Sequence, residues 1–267
     1  MSRLTLYWFN LTKRDGKDTL LKIPLGGVFS DIIDRAFPEL DCIPWRSVEE
    51  GRCYTYIKDL SDPDFDRLNN FLDLLHHLVF LTLSDHLKPY FTDELTEAYA
   101  LGFNFQQDVR PLTRTQIGQL EHLAKDQQDF QAIAEVARRL ADVIRRHPTL
   151  ARADVIAAMP PRPSSAFHLP VELVKQLGVN LGRPVGLNLT KAEHPKLRTL
   201  PMDQKLATLA NVFGLGESVQ GKTVLVIDDL YQSGVTAWSL AKFLKSHGAR
   251  QIYALAGVKS WSDTDNV

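Results

Sequence analysis

The stretch that most limits how this chain can fold is Val224-Leu225-Val226-Ile227-Asp228-Asp229-Leu230-Tyr231-Gln232-Ser233-Gly234-Val235-Thr236. Four consecutive aliphatic residues predict a strand buried inside a sheet, and two carboxylates mark its carboxyl end. The loop that follows, with Ser233, Gly234 and Thr236, opens a helix. Glycine allows close backbone approach, the hydroxyls donate hydrogen bonds, and a helix start supplies unpaired amides with a positive dipole. Such a loop suits a phosphate monoester. Two carboxylates nearby repel phosphate but accept hydrogen bonds from vicinal hydroxyls, so a ligand with a phosphate at one end and a ribose diol beside it satisfies both.

The flanking sequence alternates in the same sense. Ile117, Leu120, Leu123, Phe130, Ile133, Val136, Leu140, Val143 and Ile144 recur at helical intervals, and Pro148 ends that run. Then come a strand over 154–159, a helix over 170–181, a loop-rich segment over 191–213, a strand over 222–227, a helix over 236–247 and a strand over 251–258. This order predicts an α/β fold, a parallel β-sheet flanked by helices, with ligands at the carboxyl ends of its strands.

The first part of the chain reads differently. Strands are expected over 4–9, 20–23 and 53–57, with a hairpin or loop over 10–19. A helix should open at Asp64 and present Phe65, Leu68, Phe71, Leu72, Leu75 and Val79, and another should lie near 92–99. Residues 1–112 are therefore expected to form an N-terminal α+β module, and 113–267 the α/β domain. Charge follows a similar division: residues 1–113 hold 12 Lys+Arg against 18 Asp+Glu, and residues 114–267 hold 19 against 14. The basic half is the better place for an anionic ligand. The net charge of −1 gives the whole molecule no strong pull on nucleic acid or anionic lipid.

Several alternatives fall on physical grounds. Gly216-Glu217-Ser218-Val219-Gln220-Gly221-Lys222-Thr223 fits the spacing of a nucleotide-triphosphate phosphate loop. That mechanism needs the loop to open a helix, whereas Lys222-Thr223 runs into a strand, about 20 Å from its carboxyl end. Cys42 and Cys53 lack zinc-site spacing, and two cysteines in 267 residues suit a reducing compartment. Adjacent His76 and His77 point about 100° apart on a helix and cannot chelate one ion; His86 nearby does not change this. No secretory signal is visible, and the apolar run 75–83 is too short to span a bilayer. A soluble, cytoplasmic protein without membrane contact is expected.

With its strand, acids, loop and helix in order, residues 224–236 resemble the type I phosphoribosyltransferase family. The resemblance implies that Asp228, Asp229, Leu230, Tyr231, Gln232, Ser233, Gly234, Val235 and Thr236 bind 5-phosphoribosyl-1-pyrophosphate (PRPP). Gln232 departs from the threonine common in the family. The strand 155–159 leads into Pro160-Pro161-Arg162-Pro163, which by the same resemblance is the pyrophosphate loop, with Pro161 and Arg162 at the ligand. Lys191, His194, Lys196 and Arg198 sit where the family has a flap, and Lys259, Ser260, Asp263 and Asp265 near the last strand's end are expected to line the same face. Within the family, residues 130–267 are most similar to ComF-type competence proteins. Those carry an N-terminal four-cysteine zinc module that is absent here.

The resemblance implies transfer of ribose 5-phosphate from PRPP to a nitrogen acceptor with release of pyrophosphate. Asp228 and Asp229 would be the catalytic pair, and Mg²⁺ would be carried by the ligand and met through water by one of them. The resemblance also allows a regulatory protein that binds PRPP or a nucleotide without turning it over, and its ComF side implies a link to DNA uptake or processing. A protein partner for residues 1–112 and a homo-oligomer are further expectations. Nucleic acid rests only on the basic second half and the ComF likeness, since no base-stacking platform or recognition helix is visible.

Overall fold

The computed structural model describes residues 5–14, 18–24, 27–48, 51–83, 85–106, 111–194, 197 and 200–261. They form two compact units, Met1–Leu78 with Val143–Ala151, and Val79–Asp142 with Arg152–Val267.

In the first unit, β1 (Asn10–Lys13), β2 (Thr19–Ile23), α1 (Val28–Ala36), β3 (Arg46–Val48), β4 (Arg52–Ile57) and α2 (Asp62–His77) follow in order. The strands pair antiparallel in the order β1-β2-β4-β3. β4 buries every second residue, Cys53, Thr55 and Ile57, the alternation of a half-buried sheet, while β2 buries Leu20 as well as Leu21 and Ile23. One expectation is corrected here: residues 5–9 form no strand. Of the segment 10–19, expected as a hairpin or a loop, residues 10–13 form the strand that pairs with β2. Its polar side chains suit an exposed edge, while Leu6 is buried without strand pairing. Leu4, Asp15 and Gly16 lie outside the described residues. α2 starts at Asp62, two residues early, because Ser61 caps it by accepting the Asp64 amide at 3.3 Å.

The second unit holds β5 (Val79–Phe80), β6 (Glu97–Ala100), α3 (Gln116–Asp126), α4 (Phe130–Arg146) and, after α5 (Pro148–Ala151), β7 (Val155–Ala158). α6 (Leu169–Leu181), β8 (Leu189–Lys191), α7 (Met202–Leu209), β9 (Phe213–Leu215), β10 (Thr223–Tyr231), α8 (Val235–Ser246) and β11 (Gln251–Lys259) complete it. The last four residues of α4 and all of α5 group with the first unit. Strand order in the main sheet is β5-β6-β11-β10-β7, with β6, β11, β10 and β7 parallel and β5 antiparallel at the edge. This is the expected α/β architecture, with an antiparallel N-terminal sheet in the other unit. Its core gathers Val224 and Val226 of β10, Ala254 and Ala256 of β11, Ala98 and Ala100 of β6, and Leu240 and Leu244 of α8.

The helix expected near 92–99 is instead strand β6. The acidic stretch Thr92-Asp93-Glu94 looks like a helix start, but pairing of Glu97–Ala100 with Tyr253–Ala256 of β11 decides the local structure. Buried Glu97 is accommodated by accepting the Tyr99 hydroxyl at 2.7 Å. The sequence places a boundary at 112. The two units are interleaved along the chain, with β6 in the second and 143–151 in the first. β10 runs four residues beyond the expected Ile227, so both acids are strand residues. Gly221-Lys222 leads directly into β10, and the triphosphate-loop geometry is absent there. Among the described residues no helix is long and apolar enough to cross a membrane.

Candidate functional site

At the carboxyl ends of β7 and β10 lies a cavity of about 530 Å³. Its wall is built entirely from the second unit. The strand end and following loop, Asp228 to Thr236, form one side, with Ala237 of α8 beside them. Met159, Pro160 and Arg162 enter from the loop after β7, Ser165, Phe167 and His168 from the approach to α6, and Lys191 and Lys205 from the segment over them. Lys125 of α3 closes the side at the acids.

The loop between β10 and α8 is held in one shape. Gly234 sits at φ +89°, and a Cβ there would collide with the Tyr231 hydroxyl. That hydroxyl accepts Trp238 Nε1–H at 3.3 Å. Lys259 Nζ donates to the Gln232 carbonyl at 2.9 Å and to the Ser260 carbonyl at 3.1 Å, and the Ser260 amide donates to Tyr231 O at 2.8 Å. β11 thus clamps the loop from behind and leaves the first turn of α8, whose amides lack intrahelical acceptors, facing the cavity.

Successive strand residues point to opposite faces, so Asp228 and Asp229 leave β10 on either side, and both reach the cavity wall. Asp228 accepts the Asp229 amide at 2.9 Å, and Asp229 accepts the Leu230 amide at 2.7 Å. Burial, and then the neighbouring Asp229 carboxylate, push Asp228 well above the usual carboxylate range. Asp229 accepts Lys125 Nζ at 2.8 Å. Burial opposes charge on Lys125, but the carboxylates of Asp229, Glu121 and Asp228 together outweigh it and raise the ammonium above its ordinary value. Glu121, one turn earlier, is buried and raised by that burial; its Oε1 lies 3.8 Å from Lys125 Nζ.

Across the cavity the balance is cationic. β8 and β9 form a two-stranded ribbon that sets Lys191 opposite Phe213, with Nζ 5.7 Å from the ring centroid. Burial, then repulsion from Arg162, bring Lys191 down to about 8. The Ser164 hydroxyl donates to Glu193 Oε1 at 3.3 Å, tying the Arg162 loop to the end of that ribbon. His168 begins α6; burial lowers its basicity, and its Nδ1 is enclosed without a hydrogen-bond partner among the described residues.

The structure brings Asp228–Thr236 and Arg162 onto one cavity. Pro161 is the member of the expected set that is not on its wall; Pro160 takes that place. Of the expected flap cations Lys191 reaches the wall, His194 is buried off it, and Lys196 and Arg198 lie outside the described residues, as do Asp263 and Asp265. Lys259 acts behind the loop rather than in the cavity. Lys125, Lys205 and His168 escape sequence reasoning. For Lys125 a signal existed: Glu121 falls four residues after Ile117 on the buried stripe of α3, and Lys125 four after that.

Among the described residues no group of three or more His, Cys, Asp or Glu is placed to hold a metal, and Asp229 already carries an ammonium. The donor set fits Mg²⁺ only as an ion borne by an anionic ligand and met at Asp228. The thiols of Cys42 and Cys53, both free, are pushed up to about 11, chiefly by burial.

No protein-family model matches the chain, and no curated protein does. Among solved structures, a Trypanosoma cruzi hypoxanthine phosphoribosyl transferase is 17% identical, with a TM-score of 0.32 over 46% of this chain and 60% of that one. A Staphylococcus aureus hypoxanthine phosphoribosyltransferase is 14% identical, with a TM-score of 0.29 over 46% and 61%. A Leishmania tarentolae HGPRT-ase in complex with GMP is 15% identical, with a TM-score of 0.30 over 48% and 64%. The chain thus spans about three fifths of each of these structures.

Proposed function

We propose that the cavity binds a 5-phosphoribosyl ligand, PRPP or a close relative. One observation carries this reading: a carboxylate pair and a clamped Ser-Gly-Val-Thr helix start share one cavity with Arg162, Lys191 and Lys205. The amides of the loop and the first turn of α8 would take the 5-phosphate. Asp228 and Asp229 would accept the ribose hydroxyls, and the cations would face pyrophosphate. Mg²⁺, where pyrophosphate brings it, would meet Asp228 and neutralise the leaving group. Loss of pyrophosphate puts positive charge on the ribose ring, which the Asp228–Asp229 pair would stabilise while the 5-phosphate anchor would hold the reacting carbon in position.

Binding without turnover is a second reading in the proposal, favoured by the Lys125 ammonium on Asp229, which offsets part of the negative charge the ring would need. Self-association and a protein partner for the N-terminal segment also belong to the proposal; exposed Phe130 and Val179 offer apolar surface in the second unit. Calorimetry with PRPP, with and without Mg²⁺, tests the assignment. Asp228→Asn combined with Asp229→Asn is expected to abolish binding while circular dichroism stays native. Unchanged affinity in that variant would remove these carboxylates from the site. Pyrophosphate release measured against a panel of nucleobases separates an enzyme from a sensor.

A further inference from the structure

The acidic pair already has its counter-ion, and the chain supplies it. Thr115 caps α3: its side chain accepts the Gly118 amide at 3.0 Å and donates to the Phe103 carbonyl. Phe103 bridges Lys259 at the end of β11, and the Asn104 amide donates to the Lys259 carbonyl at 3.0 Å. The start of α3 is thereby fixed to the strand beside β10. Gly118 tightens the fit, because a Cβ there would overlap the Asn104 carbonyl oxygen. Lys125 lies seven residues further, two turns along the same face, and this places its ammonium on Asp229 at 2.8 Å and near Glu121 at 3.8 Å.

We propose that the Lys125 ammonium is the resident cation of the acidic pair, holding the place at Asp229 that a divalent ion would need and making the ribose end of the site independent of metal. The argument is one of charge and donors. Three carboxylates, Glu121, Asp228 and Asp229, face one strand end, and a lone buried acid pair is costly unless a cation offsets it. An ammonium carries three N–H donors, enough for two carboxylates and one ligand hydroxyl. A divalent ion coordinating Asp229 must first displace it, whereas an ion travelling on pyrophosphate need not. Lys125 is a positioning and specificity residue in this account. The part concerning ribose rests on the phosphoribosyl reading; the part concerning cations does not.

The two parts are separable by experiment on the full chain. Mn²⁺ is titrated into the ligand-free protein and followed by electron paramagnetic resonance. Lys125→Met should bind one Mn²⁺ about ten-fold or more tighter than the wild type, and adding Asp229→Asn should remove that gain. Lys125→Arg, which keeps the charge, should exclude Mn²⁺ as the wild type does and shows the effect is not one of altered folding. Equal Mn²⁺ affinity in wild type and Lys125→Met overturns the proposal. In calorimetry, ribose 5-phosphate should bind the wild type equally in EDTA and in Mg²⁺, and Lys125→Met should lose about ten-fold in EDTA and recover part of it with Mg²⁺. Wild-type binding of ribose 5-phosphate that requires Mg²⁺ also overturns it. Absence of ribose 5-phosphate binding alongside a Mn²⁺ gain in Lys125→Met would instead refute the phosphoribosyl reading and leave Lys125 as the resident cation.

Discussion

Lys191 is the side chain whose removal should improve the fold and damage the site. It is only 9% exposed, so solvent does little to screen it, and its ammonium titrates at about 8 against 10.5 for a free lysine. The sign follows from proton binding: the folded chain holds this proton less tightly than the unfolded chain. The ammonium therefore destabilises the fold in full below about pH 8, the penalty fades between 8 and 10.5, and above 10.5 it is gone. Its size is about 3 kcal/mol, of which the contact with Phe213 returns about 0.5–1 kcal/mol. Lys191→Met keeps the aliphatic stem and should raise stability by about 2 kcal/mol at pH 7, or about 4–8 °C in Tm for a domain of this size. At pH 10.5 the gain should vanish. The same change should weaken pyrophosphate binding. In the wild type that affinity should fall about ten-fold from pH 7 to pH 9 relative to Lys191→Arg, a comparison that cancels titration of pyrophosphate itself. Differential scanning calorimetry and titration calorimetry across this range suffice. A lower Tm for Lys191→Met at pH 7, or a flat affinity ratio, would refute the reasoning that this cation is held at a cost for an anion.

Three other outcomes are expected. Gly234→Ala forces an L-residue to φ +89° against the Tyr231 hydroxyl, costs about 2–3 kcal/mol from backbone strain and the lost Trp238 contact, and should abolish phosphate binding, both read by thermal melts and calorimetry. Gly118→Ala should cost about 1–3 kcal/mol by overpacking on Asn104 and, by lifting α3, reproduce the Mn²⁺ gain of Lys125→Met in the same resonance titration. In the first unit, fully buried His147 is held down to about 3 by its burial, so the stability it confers is whole above pH 6.5 and is lost as pH falls towards 3. Urea unfolding should therefore lose about 3 kcal/mol between pH 7 and pH 4, and His147→Gln should flatten that slope.

What the sequence discloses of this site is what is local in it. Val224 to Thr236 states strand, acids, turn and helix within thirteen consecutive positions, and each is placed by its neighbours: Gly234 by Tyr231, Asp228 by the next amide. The alternation after residue 150 is equally local, since period and punctuation alone separate α6, β10, α8 and β11. The failures share the opposite property. Thr92-Asp93-Glu94 carries a helix signal that loses to a partner more than 150 residues away, because parallel pairing with β11 satisfies four residues of backbone that propensity cannot. Asn10–Lys13 reads as hairpin or loop from its own residues, and only the ladder that β2 offers decides for an edge strand. Lys125 is the clearest case. The buried Glu121 four residues before it marks the face of α3 but not what that face meets, and only the fixing of α3 to the end of β11 brings Lys125 to Asp229, about a hundred positions later. The anionic half of the cavity is thus written in one strand and loop. The cations are gathered from α3 beside the acids and, across the cavity, from the β8–β9 ribbon, α7 and the loop after β7, elements far apart in the sequence. If both halves serve one ligand, variants on the first should remove binding outright. Variants on the second should change its dependence on metal and pH.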